Sequence, residues 1–264
     1  MFEEPEAHLH PQLQREIFDT LRDLSKNPNL EYQIILTTHS PQFVDIEYLD
    51  ELYIFNKNQG CTELQKCNVH FSKKRDLVKT ILAFNPNISE IFFANHVVLF
   101  EGESEEITIN YLKKNNLINF SKTSVVNTKG KFNMDIYINI LNDVNLPYSV
   151  LIDEDSYSID DLDKDQIQEK RKAYEKTQKI VDLIDEKIGK AVVVSSDYDE
   201  YTGISKSVKS KPTKMYELLT KNYETNPNKV YQNKIENLFK LLLNSESFKY
   251  KAINVDGTQW KKLN

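Results

Sequence analysis

With 264 residues, 39% of them hydrophobic and 28% charged, the chain is long enough for one large or two ordinary domains with real cores. No apolar run approaches the roughly 20 residues of a membrane span, and the acidic start Met1-Phe2-Glu3-Glu4-Pro5-Glu6 has none of the regions of a signal peptide. A net charge of -6 argues against a general nucleic-acid coat, yet leaves room for a nuclease whose acids gather at a metal while lysines surround it. Cys61 and Cys67 lack CxxC spacing and read as ordinary thiols in a reducing cytoplasm.

Leu13, Ile17, Leu21 and Leu24 recur at helical spacing and predict a helix over residues 12–26. Tyr32 to Thr38 predicts a buried strand, closed by His39-Ser40-Pro41. Glu51 to Phe55 predicts another strand, Lys57-Asn58-Gln59-Gly60 a turn, and Arg75 to Leu82 a short helix ending near Asn85-Pro86-Asn87. From about residue 94, strands and helices alternate. Strand 97–100 precedes a helix from Glu105 to about Lys114. Strand 124–127 precedes Lys129-Gly130-Lys131 and a helix through Asp135 to Leu141. Strand 148–152 precedes a long charged helix from about Gln166 to Lys187, and strand 191–194 follows. Such alternation predicts an α/β fold with a parallel sheet. Ser205 to Lys214 is basic, helices rich in Leu, Tyr and Lys come next, and the tail after Phe248 shows no defined element.

Two of these strands end in carboxylates: Val97-Val98-Leu99-Phe100-Glu101-Gly102-Glu103-Ser104-Glu105 and Val150-Leu151-Ile152-Asp153-Glu154-Asp155. The C-terminal ends of parallel strands are where open α/β sheets hold ligands. A pocket of acids there is costly unless a divalent cation occupies it. Gly102 lets the backbone turn after Glu101, Glu105 lies one helical turn on, and Asp153 and Asp155 alternate across a strand end. Two ions roughly 4 Å apart on such ligands would activate water and stabilise the leaving oxygen of a phosphodiester. The pattern points to magnesium-dependent work on phosphate esters. Glu103, Glu106 and Glu154 read as solvated turn residues.

The first residues, Glu3-Glu4-Pro5-Glu6-Ala7-His8-Leu9-His10-Pro11, resemble the Walker B and D-loop region of ABC-type ATPases of the SMC and RecF kind. The resemblance puts Glu3 at the magnesium-side acid and Glu4 at the catalytic glutamate. Thr37-Thr38-His39-Ser40-Pro41 resembles the switch loop, with His39 sensing a γ-phosphate. No GxxxxGK[ST] occurs and the six glycines are isolated, so no phosphate-cradling loop is present. The chain is therefore expected to be the C-terminal portion of a longer ATPase, with ATP bound only by a complete ATPase domain.

The stretch from Glu90 through Glu105, with Asp153-Glu154-Asp155, resembles the TOPRIM domain of the OLD (overcoming lysogenization defect) endonucleases, which fuse an ABC-type ATPase to a TOPRIM nuclease. That resemblance implies metal binding by Glu101, Glu105, Asp153 and Asp155. Ser195-Ser196-Asp197-Tyr198-Asp199-Glu200 resembles the later acidic motif at a second metal. Asp197, Asp199 and Glu200 compete there, in the order Asp197 and then Glu200. Lys211-Pro212 resembles the lysine-proline element whose lysine stabilises charge on phosphate; the alternative is a DNA-backbone patch of Lys206, Lys209, Lys211 and Lys214. Catalysis would then rest on Lys211, Glu101 and Asp153, with Mg²⁺ or Mn²⁺ as cofactor.

His8 and His10 fit the D-loop pattern better than a zinc site, and His70 and His96 read as structural. The run from Asp160 to Asp165 reads as a solvated helix start, and Tyr231, Tyr250 and Trp260 as surface-helix residues. The expected organisation is an ATPase remnant over 1–70, a connector over 71–93, a TOPRIM domain over 94–220 and a helical region over 221–264. The expected function is ATP-governed DNA cleavage or nicking in phage defence, by a dimer or with a complementary ATPase portion, and with no membrane partner. Rival readings are a non-catalytic DNA-holding or assembly module and a TOPRIM enzyme acting on RNA.

Overall fold

Proline at the first helical position and His10 at the N-cap start helix α1 (Pro11–Lys26), whose Leu21 is buried. In the computed structural model α1 belongs to the first of two compact units, Met1–Ala94 and Asn95–Asn264. The structure describes residues 1–58, 60–68, 86–155, 164–195, 197–205, 207–246, 248–253 and 259–260. The helix expected over Arg75–Leu82, along with His70, Asp160 to Asp163, Ser196, Lys206 and the Trp260 side chain, lies outside the described residues.

In the first unit, β1 (Phe2–Glu3) pairs in parallel with β2 (Leu36–Thr37). The strand expected over 32–38 is thus reduced to two residues. Among the described residues β1 is its partner and is itself two residues long, and Tyr32 and Ile35 stay exposed. Two 3-10 turns, Pro41–Phe43 and Ile46–Glu51, carry Phe43 and Leu49 into the interior. There Phe43 meets Phe18 of α1 at 5.2 Å between ring centroids. A hairpin of β3 (Tyr53–Asn58) and β4 (Cys61–Lys66) follows. Gly60 at its tip has φ of 87°, a backbone region that costs a side chain strain.

Among the described residues, the second unit is built on a six-stranded sheet. Its strands are β5 (His96–Phe100), β6 (Thr123–Asn127), β7 (Tyr148–Asp153), β8 (Gly189–Val194), β9 (Tyr250–Ile253) and β10 (Gln259–Trp260), in the order β10-β9-β8-β7-β5-β6. The first five run parallel; β10 is antiparallel at the edge. Five of the six residues of β7 and all six of β8 are buried, as central strands covered on both faces require. One face packs Val98, Phe100, Leu151, Val192 and Val194 against apolar residues of α2 (Glu103–Lys114), α6 (Lys211–Thr220) and α7 (Lys229–Leu243). Alternate residues Val97, Leu99, Val150 and Ile152 are equally buried, as the period of two in a strand dictates. Helices α3 (Met134–Asp143) and α4 (Lys164–Leu183) bury Ile138, Leu141 and Ile180.

Two expectations change here. The long charged helix ends at Leu183 rather than Lys187. The tail after Phe248 supplies β9, which pairs with β8 in the register Val193↔Ala252. Tyr-Lys-Ala-Ile is too short and mixed to announce a strand by itself. At the start of β8, a Cβ on Gly189 would stand 2.3 Å from the Tyr148 ring, so the residue must be glycine for the two strands to pair as they do. No described helix is long and apolar enough to cross a membrane.

Candidate active site

The ends of β5 and β7 are neighbours in the sheet, and each delivers its acids to the same edge. Glu101 follows β5 directly, and its Oε1 accepts from the Asp153 amide at 2.9 Å. The Asp153 carboxylate in turn accepts from the Tyr198 amide at 2.8 Å, at the start of the short helix α5 (Tyr198–Thr202). Glu105, in the first turn of α2, is 4% exposed. A Cβ at Gly102 would lie 3.2 Å from the Glu105 carboxylate, so the glycine keeps that turn close. Asp155 takes a left-handed φ of 55° just beyond β7.

Burial and crowding raise the proton affinity of this edge. Burial pushes Glu105 up to about 8, and the charges of Glu101 and Asp199 add to the shift. Glu101 is raised by burial, offset in part by Lys131 and the Asp153 amide. Asp153 is raised well above the carboxylate range by burial and then by repulsion from Glu101 and Glu105.

Two lysines answer these acids. Lys131, in the 3-10 turn after β6, is 4% exposed. Its Nζ donates to the Asp153 carbonyl and to Thr177 Oγ1, each at 2.9 Å, stands 3.6 Å from Glu101, and is in direct ion-pair contact with Asp155. Thr177, on α4, donates to the same Asp153 carbonyl at 2.8 Å. Lys211, at the first position of α6, lies 2.7 Å from Asp199, whose other oxygen accepts from Ser104 at 2.6 Å. That hydrogen bond to Asp199 outweighs burial and raises the lysine's proton affinity.

Of the expected residues, Glu101, Glu105, Asp153 and Asp155 thus come together at one edge, and Lys211 reaches it through Asp199. In the third acidic group Asp199 meets Ser104 and Lys211 directly, and the charge of Asp197 also acts on Lys211. Asp197 caps α5 by accepting from the Glu200 amide at 2.7 Å, and Glu200 is exposed. Glu154 is corrected from a solvated to a buried residue, 4% exposed. Glu106 pairs outward with Lys129 at 3.7 Å, and His96 Nε2 shares a hydrogen bond within the sheet with Ser149 Oγ at 2.9 Å. Lys209 and Lys214 are exposed, and Lys214 pairs with Glu217. Lys131, Thr177 and Ser104 escape the sequence reading. The one available signal is that Lys129-Gly130-Lys131 follows a strand at the same sheet edge as the acids. Among the described residues, no three Asp, Glu, His or Cys side chains are arranged to hold a metal ion; Lys131 stands between the acids of β5 and β7.

In the first unit, Glu3 ends β1 and is exposed, and Glu4, at a left-handed φ of 42°, meets His39 at 3.3 Å. Glu6 is buried. Its Oε1 accepts from Thr38 Oγ1 and from the His39 amide, each at 2.7 Å. Burial would raise its proton affinity, but these hydrogen bonds prevail and lower it. His10 caps α1 through Nδ1.

Residues 1–44 match an AAA ATPase domain, and residues 92–155 match the TOPRIM domain of overcoming lysogenization defect-like proteins. An OLD nuclease of Thermus scotoductus is 25% identical over 233 residues, covering 83% of this chain and 43% of that protein. The endonuclease GajA of Bacillus cereus is 28% identical over 184 residues, 61% of this chain and 27% of its own length. The chain therefore spans less than half of each of these relatives. The C-terminal region of the Burkholderia pseudomallei OLD protein aligns with 57% of this chain and 83% of its own, at 15% identity and a TM-score of 0.27.

Proposed function

We propose that this chain, an OLD-family protein joining the end of an ATPase domain to a TOPRIM domain, is a divalent-metal-dependent DNA endonuclease that nicks or cuts the phosphodiester backbone. The observation that carries the reading is the imbalance of charge at one sheet edge. Glu101, Glu105, Asp153, Asp155 and Asp199 gather there against the ammonium groups of Lys131 and Lys211. Three of these carboxylates are held above their ordinary proton affinity, as expected where more positive charge belongs.

The donor set fits a hard cation, since it offers carboxylate oxygens and neither sulfur nor imidazole. Glu101, Glu105, Asp153 and Asp155 would hold Mg²⁺ or Mn²⁺, with Asp197, Asp199 or Glu200 available to a second ion. When bound, the metal supplies an activated water and neutralises charge on the phosphate and the leaving oxygen. The chain's own groups do the rest. Thr177 and Lys131 fix the Asp153 carbonyl, and the Tyr198 amide orients the Asp153 carboxylate. Lys211, protonated and 40% exposed, is free to leave Asp199 and donate to a phosphate oxygen that gains charge. Together with a complete ATPase domain, ATP binding would govern this edge, in a dimer serving phage defence.

Supercoiled plasmid with Mg²⁺ or Mn²⁺ tests the reading. Wild type should convert it to open-circular or linear DNA, and Glu101→Ala and Asp153→Ala should not. Identical plasmid profiles for all three at high protein concentration would overturn it. Cleavage of single-stranded RNA with the plasmid left intact would move the substrate to RNA.

A further inference from the structure

Lys131 combines features that a turn lysine rarely shows together. It is 4% exposed, its ammonium is pinned by two neutral oxygens, and it contacts acids from both strands that build the candidate site. A buried ammonium is costly to desolvate, and a lysine that served only to fill space would be replaced at lower cost by an apolar residue. The two neutral bonds explain where the side chain is held; they do not explain why a charge is held there. The acids supply that reason. Asp155 is in direct contact and Glu101 is 3.6 Å away, and these are two of the oxygen donors assigned above to the cation.

We propose that Lys131 is a resident counter-cation of the acid edge, which holds Asp155 and Glu101 together in the metal-free protein and competes with an incoming divalent cation for those same oxygens. The inference rests on the metal-dependent reading of the site. Its physical content is a coupling between two cations that share ligands. The more firmly Lys131 holds Asp155, the weaker the cation binds, and the reverse follows by linkage. Thr177 gives the ammonium an anchor that involves no carboxylate. Lys131 is thus able to release Asp155 while remaining bonded to Thr177 and the Asp153 carbonyl. It acts through the acids and does not touch the reacting phosphate, which makes it a positioning residue.

The test is Mn²⁺ binding to the full chain, followed by the loss of free-ion signal in electron paramagnetic resonance, with thermal unfolding recorded with and without Mn²⁺. Lys131→Met removes the charge and keeps most of the length. It should lower the metal-free unfolding midpoint, tighten Mn²⁺ binding by about tenfold, within the range of ordinary coupling energies, and gain more from Mn²⁺ than wild type does. Lys131→Arg keeps the charge and should stay near wild type in Mn²⁺ affinity. A purely structural lysine predicts the opposite: Lys131→Met would lose the same number of degrees with and without Mn²⁺, and its affinity would be unchanged or weaker. That result overturns the inference, as would Lys131→Arg binding as tightly as Lys131→Met. If Lys131→Met is unfolded without metal, recovery of native circular dichroism on Mn²⁺ titration supports the proposal, and failure to recover at any concentration overturns it. Tight binding by wild type with no gain in Lys131→Met defeats this inference alone. Absence of binding in wild type and Lys131→Met alike defeats the metal-dependent reading with it.

Discussion

The two units each carry a group of acids at a strand end, and their surroundings differ in kind. In the first unit, Glu4 and His39 meet at 3.3 Å with side chains 52% and 82% exposed, so solvent screens the pair. In the second, Glu101, Glu105 and Asp153 lie near enough for their charges to repel, where burial makes each negative charge costly. The same residue type is a surface charge in one place and a source of stored electrostatic work in the other. What separates them is the sheet. Two paired residues in β1 and β2 shelter little, whereas β5 and β7 lie inside a six-stranded layer with helices packed on it.

The contrast breaks most sharply if the buried group proves dispensable. Asp153→Ala, or removal of divalent cations with EDTA, should abolish plasmid nicking, a loss on the order of 100-fold or more as for other disrupted metal sites. Gel quantification against wild type checks it. Lys211→Ala should cost about 100-fold in turnover, comparable to loss of one electrostatic stabiliser of a transition state. Lys211→Arg should recover part of that rate, and time courses at saturating plasmid read both.

A smaller effect separates the units by the sign of their response to pH. Glu105 has a folded proton affinity raised from 4.5 to about 8, so between those values the folded state holds a proton that the unfolded state has released. Its burial therefore costs stability increasingly as pH rises from 4.5 to 8, by up to ~1.4 kcal/mol per pH unit. In metal-free buffer Glu105→Gln should gain on wild type across that range, and thermal midpoints at pH 5 and 8 measure the difference. Glu6 is the opposite case. Its folded value lies below 4.5, so its contribution is present above that pH and is lost as pH falls through the folded value. Glu6→Gln should cost stability at pH 7 and less under acid. The smallest effect belongs to the exposed pair: His39→Ala should change the unfolding midpoint by no more than about 0.5 kcal/mol equivalent. A larger loss would show that the two acid groups are more alike than their exposure implies.

The parts of the fold that were legible in the sequence are those where one strand carries its own evidence. β5, β7 and β8 are continuous apolar runs because both of their faces are covered, and their terminal acids stand out against that background. β9 was illegible because its strand character comes from the neighbour it pairs with, and 32–38 misled because an apolar run needs partners to become a full strand. The same distinction governs the site. Glu101, Glu105, Asp153 and Asp155 follow from strand ends. Lys131 becomes a site residue only when α4 brings Thr177 to it, and Asp199 only when the fold sets α5 beside Ser104 and Lys211.

The far end of β7 has a different fate from its acidic end. Tyr148 fills the space that a side chain on Gly189 would need, donates to Asn142 at 2.7 Å and accepts from the Asp185 amide at 3.3 Å. The ladder to β8 begins at the Tyr148↔Gly189 pair and runs without a break to Asp153↔Val194. A glycine and a tyrosine at the opposite end from the acids therefore set the register of the same strand pairing that delivers Asp153 to the sheet edge.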